Sequence, residues 1–194
     1  MTEEPQHLRV LVADEREDHL EPISEAVERL GHVVVAREVD IAEVGRATHD
    51  HRPDLAIVAL HEDTDHALDL ITQIVEEASC PVIALADEAS SAFIAKAARR
   101  GVWAHMDSTQ PGEMRGAIDV VLERYREWRR LLGAFEKRAR IERAKGVLME
   151  REGLGQQEAF ERLRSEARSS RRPIAEVVDE LLDDAVAGSG LGDP

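Results

Sequence analysis

The chain changes its hydrophobic rhythm once, at Pro111, and that change limits its fold more than any other feature. Before it come five short apolar runs: LRVLVA (8–13), HVVVAR (32–37), DLAIVAL (54–60), PVIALA (81–86) and VWAHM (102–106). Runs this short, with several apolar residues in succession, are strands covered on both faces. The segments between them, 16–30, 40–49, 65–78 and 93–101, carry helical patterns instead. In the first, Leu20, Ile23, Ala26, Val27 and Leu30 fall at helical spacing. Gly31 and Gly101 read as stops for the helices before them. Strict strand–helix alternation predicts an α/β fold, a doubly wound five-stranded parallel sheet.

After Pro111 no strand signal returns. Ile118, Val121, Tyr125, Trp128, Leu132, Phe135 and Ala139 step by alternating threes and fours. Such a seven-residue repeat belongs to a long helix with a seam for a facing helix. The expected seam is Ile118, Val121, Tyr125, Trp128, Leu132 and Phe135, and the expected partner is a second copy of the chain. The helix should stop near Gly153. A second follows over 156–170, with Ala159, Phe160, Leu163 and Ala167 on one face. A third starts at Pro173, with Ile174, Val177, Val178, Leu181 and Leu182 inward. The expected division is a sheet domain at 1–115, a coiled-coil linker at 116–137, a helical bundle at 138–186 and a disordered tail at 187–194.

Charge sharpens this division. The whole chain carries −15, which argues against nucleic acid as a partner. The charge is unevenly placed, however. Residues 1–120 hold 25 acids and 10 bases, whereas residues 124–172 hold 8 acids and 15 bases. Residues 173–194 hold 6 acids and no base. A basic stretch therefore sits between two acidic ones, and segments of opposite charge suggest different roles. Cys80 is the single cysteine, so no disulfide can form within the chain. No apolar run is long enough to span a bilayer, and the acidic N-terminus lacks a signal-peptide stretch, so a cytoplasmic protein without membrane contact is expected. The eight histidines show no metal-helix spacing, and neither a metal nor a cofactor is expected. No phosphate loop or nucleophile–base motif points to an enzyme.

The strand–helix order, with Asp14 and Glu15 closing the first strand, resembles the receiver domain of bacterial response regulators. That resemblance implies a phosphoacceptor aspartate after strand three, a hydroxyl after strand four, a lysine after strand five and an aromatic switch residue. Carried across position by position, these fall on Ala59, Ala86, Ser108 and His105. Only the acidic pair remains, so the domain resembles a pseudo-receiver that is not phosphorylated in the usual way. Glu62, Asp63 and Asp65, just past Ala59, are the candidates for a substitute acceptor, set against a solvated acidic loop capping the next helix.

Residues 138–182 resemble the ANTAR domain, the RNA-binding antiterminator module that follows receivers. The carrying residues are Ile141, the run Ala144-Lys145-Gly146-Val147-Leu148-Met149, then Glu158-Ala159-Phe160, Leu163-Arg164 and Ala167. The resemblance implies binding of paired hairpin RNAs that overlap a terminator. Candidate RNA contacts are Arg140, Lys145, Arg151, Arg164, Arg168, Arg171 and Arg172, some of which should instead pair with Glu142, Glu161 or Glu166. Gly146, inside a helix, is expected to meet either a closely packed helix or RNA. Possible partners on the sheet domain are a sensor kinase or another protein. The competing expectation is a protein-interaction module of a two-component pathway that never touches RNA.

Overall fold

The computed structural model describes residues 7–14, 16–38, 40–60, 64–77, 80–86 and 90–189, without the side chains of 41, 64 and 186–189. Glu15, His61, Glu62, Asp63 and the tail beyond residue 189 lie outside the described residues. The chain divides into two compact units, 1–126 and 127–194.

The first unit alternates β1 (Arg9–Ala13), α1 (Glu17–Arg29), β2 (Val33–Glu38), α2 (Ile41–His51), β3 (Leu55–Ala59), α3 (Thr64–Glu77), β4 (Val82–Leu85), α4 (Ser91–Arg99) and β5 (Val102–Met106). The strands form one parallel sheet in the order β2-β1-β3-β4-β5. The order reverses between β1 and β3, so their C-terminal ends open a crevice, the usual ligand position in such sheets.

Alternate residues of each strand enter different cores. Leu11, Ala56, Val58, Val82 and Ala84 pack with Leu70, Ile71 and Ile74 of α3. Val10, Val12, Leu55, Ile57 and Ile83 pack on the other face with Ile23 and Val27 of α1. Both faces are covered, and the inner strands therefore read as unbroken apolar runs. Gly101 ends the α4 turn at φ +104, and a Cβ there would lie 2.9 Å from Val75 Cγ2. Both constraints select glycine. α4 begins two residues before the expected start, because the Ser90 hydroxyl accepts the Phe93 N–H and caps it.

The helix α5 (Pro111–Glu152) contributes to both units. Its first turns place Met114, Ile118 and Val121 in the core shared with α1. In the second unit, α5 packs with α6 (Gln156–Ser170) and α7 (Ile174–Ser189). Ala144, Leu148, Ala159, Leu163, Val177 and Val178 form that bundle's buried centre. No helix among the described residues is long and apolar enough to cross a membrane.

Candidate RNA interface and degenerate receiver cleft

The crevice at the strand ends is a cleft of about 670 Å³, bordered by Asp14, Arg16, His19, Asp107, Ser108 and Thr109 over an apolar floor that includes Ala59 and Leu85. Asp14 is fully buried. Its Oδ1 accepts the Arg16 N–H at 2.8 Å, and its Oδ2 lies 3.6 Å from His19 Nδ1. Ala59 presents a methyl group at the end of β3 and is 2% exposed. Ala86 is buried, His105 is exposed on β5, and the Ser108 hydroxyl accepts the Gln110 N–H at 3.0 Å. Receivers hold Mg²⁺ through near-octahedral oxygen ligands. The described residues here offer the carboxylates of Asp14 and Asp107, with no side-chain oxygen at Ala59, and Asp14 is already directed at Arg16 and His19. Among the described residues no group of three or more His, Cys, Asp or Glu side chains gathers to hold a metal ion. Of the candidate substitute acceptors, only Asp65 is described, exposed in the first turn of α3. Sequence reasoning missed Arg16 and His19 as cleft residues. Their placement depends on the β1–α1 turn, where Arg16 precedes the first residue of α1.

Cys80 is buried, and loss of hydration pushes its thiol up to about 12. Such a thiol stays protonated and is no nucleophile at neutral pH.

The basic residues of the second unit fall into two groups. Arg140 is bound to Asp179 at 2.7 Å, and Arg172 to Glu180 at 2.6 Å and Glu176 at 3.3 Å. Those carboxylates all belong to α7, whose acidity the sequence displays but whose contacts only the fold supplies. Lys145 is 7% exposed and donates to both Glu142 oxygens, at 2.8 and 3.1 Å. The same ammonium holds the Glu142 carboxyl below the usual range. Arg164 pairs with Glu161 at 3.0 Å while its guanidinium lies 5.8 Å from the Phe160 ring centroid. Among the described residues Arg151 reaches only the Asp184 carbonyl, at 3.4 Å. Arg168 and Arg171 are exposed and make no ion pair among the described residues. Arg164 and Arg168 lie four residues apart on one face of α6, and Arg171 follows as its C-cap, in the left-handed region at φ 55. The expected pairings with Glu142 and Glu161 are present. Glu166 instead pairs with Arg162, which was not among the candidates.

The expected seam divides. Ile118 and Val121 are each 1% exposed, and Tyr125 meets Trp103 edge-on at 5.2 Å. Ile118 and Val121 are taken up by the sheet unit itself and are not open to a partner helix, a correction to the seam read from periodicity, while Tyr125 is half-buried against Trp103. Trp128, Leu132 and Phe135 are exposed, Phe135 at 70%. Gly146 is also exposed, and a Cβ on it would meet nothing within 4 Å. Close packing inside the chain is therefore not what selects glycine there.

Residues 129–182, which contain the bundle core, match the ANTAR domain model. The first unit has the receiver fold. It is similar to the signal receiver domain of NarL from Mycobacterium tuberculosis, with TM-score 0.52 and 19% identity over 60% of this chain and 98% of that one. A two-component response regulator of the LuxR family from Aurantimonas is similar at TM-score 0.54 and 23% identity, over 61% of this chain and 86% of that one. The chain thus joins a unit with the receiver fold to a segment that matches the ANTAR domain model. A relative similar in both parts is the transcriptional regulatory protein PdtaR of Mycobacterium tuberculosis, 26% identical over 187 residues and 90% of each chain.

Proposed function

We propose that this protein is an RNA-binding transcription antitermination regulator that works as a dimer, with a receiver-like domain that is not phosphorylated. The reading rests chiefly on one observation: the segment matching the ANTAR domain carries Arg168 and Arg171 exposed and without an ion pair among the described residues, at the same end of α6 as Arg164. A guanidinium pairs with phosphate oxygens and stacks on splayed loop bases, the two features an RNA hairpin loop offers. Arg140, Lys145 and Arg172 are held by carboxylates and serve first to fix the bundle. The heptad residues left exposed, Trp128, Leu132 and Phe135, support the dimer, which would present two RNA faces to two hairpins. The relative PdtaR carries the name of a transcriptional regulatory protein, which agrees with this role. At Ala59 there is no side-chain oxygen to accept a phosphoryl group, so the switch acts by another route, through a ligand in the cleft or a sensor kinase or other protein on the sheet domain.

The test is binding of a labelled two-hairpin RNA across a salt series. Saturable binding that weakens as salt rises supports the proposal. Absence of a shift, with the chain instead retained by a regulator protein, would support an interaction module.

A further inference from the structure

The dimer proposed above leaves the direction and register of its helices open. We infer that two copies of α5 pair antiparallel in the second unit, with Phe135 of each filling the space over the partner's Gly146. This inference rests on the dimer reading and adds its geometry.

The seven-residue repeat continues beyond Ala139, through Glu142, Gly146 and Met149. These positions share one helix face with Leu132 and Phe135. The opposite face, Ile141, Ala144 and Leu148, is committed to the bundle core. The seam face carries the exposed Leu132, Phe135 and Met149, and it contains one open hole at Gly146. A glycine inside a helix costs about 1 kcal/mol relative to alanine, and among the described residues no atom lies within 4 Å of a Cβ built at Gly146.

Setting Phe135 against the partner's Gly146 fixes every other pairing. Leu132 then faces the partner's Met149, and Ala139 faces the partner's Glu142, with the two-fold axis between residues 140 and 141. Large residues meet small ones at Phe135–Gly146, and apolar meets apolar at Leu132–Met149. The flank of the seam supplies an independent check. Arg129, Glu136, Arg143 and Glu150 lie along it and make no ion pair among the described residues, although Glu127, Glu142 and Glu152 nearby all do. In this register Arg129 faces the partner's Glu150, and Glu136 faces the partner's Arg143. Symmetry makes four complementary pairs. The other flank brings Arg138 toward the partner's Lys145, whose ammonium is already bound to Glu142. A parallel, in-register pair would stack Gly146 on the partner's Gly146, leaving a void, and would set Arg138 against the partner's Arg143.

Two experiments on the full chain test this. In a Cys80→Ala background, chains carrying Phe135→Cys and Gly146→Cys are mixed and mildly oxidised. The antiparallel register predicts a mixed disulfide between the two chains in excess of either self-linked product. Self-linkage of the Phe135→Cys chain alone as the main product would overturn it. The second experiment needs no core substitution. Glu136→Arg and Arg143→Glu should each weaken dimerisation about tenfold by sedimentation equilibrium, since each reverses two symmetric pairs. The double variant should return to within about twofold of the parent. The two positions lie two turns apart on one helix and do not touch, so their coupling reports the partner. Additive losses would overturn the register. A chain that dimerises and binds hairpin RNA but shows neither coupling nor the mixed disulfide refutes the register and leaves the functional proposal standing. A chain that stays monomeric refutes both.

Discussion

Arg168→Gln with Arg171→Gln should weaken hairpin RNA binding far more than Arg140→Gln with Arg172→Gln. All four arginines lie in the basic segment, and the sequence alone ranks them equally. The structure separates them. Arg140 and Arg172 must leave carboxylates at 2.7 and 2.6 Å before meeting a phosphate, so much of their gain is offset. Arg168 and Arg171 leave only water. A charge-assisted hydrogen bond contributes about 1.5 kcal/mol or more, which is about tenfold in affinity per arginine and about a hundredfold for the free pair. The bound pair should cost less than about tenfold. Salt dependence gives a second reading. Each lost phosphate contact on single-stranded RNA lowers the slope of log affinity against log salt by about 0.7, so the free pair should lower it by about 1.4. Fluorescence anisotropy with a labelled two-hairpin RNA, repeated over a salt series, measures both. Equal losses in the two double variants, or an unchanged slope without Arg168 and Arg171, would refute the reasoning.

Three further outcomes follow from the same geometry. Incubation with a small phosphodonor should leave the intact mass unchanged, because Ala59, at the end of β3, has no side-chain oxygen to accept the group; phosphoryl addition on an aspartate would contradict this. Leu163→Ala empties the centre of the bundle, where Leu163 is 2% exposed, and should cost about 2–5 kcal/mol, read as a lower helical melting transition. An unchanged melt would mean that the bundle core is not as described. His32 is half-buried with its Nδ1 lacking a hydrogen-bond partner among the described residues, and burial beside Arg115 lowers its pKa. Its neutral form is the one the fold favours. The associated stability is present above the ordinary histidine pKa of about 6.5 and is lost as pH falls through the lowered folded value. His32→Gln should flatten that acid-side loss in urea unfolding, and an identical pH profile in the variant would contradict the assignment.

The sheet was legible because each inner strand must satisfy two covered faces, and Val10, Leu11 and Val12 show that in their order. The lower half of the seam was not. A heptad repeat states that a helix has a partner but not which one, and α5 uses one continuous repeat for two purposes. Ile118 and Val121 cover the sheet, while Leu132 and Phe135 remain outside. Among the candidate RNA contacts, Lys145–Glu142 and Arg164–Glu161 are three residues apart and could be read from helix spacing. Arg140–Asp179 and Arg172–Glu180 could not, because α7 must first fold onto the bundle. The methyl groups of Ala59 and Ala86 at the strand ends were legible in sequence. The apposition of His19 and Asp14 depends on how α1 leaves β1.

The measurement closest to the central claim is the molecular mass in solution, by sedimentation velocity, with and without a two-hairpin RNA. A dimer alone, and two chains per two-hairpin molecule in the complex, is the predicted result. A monomer whose sedimentation is unchanged by the RNA would contradict it.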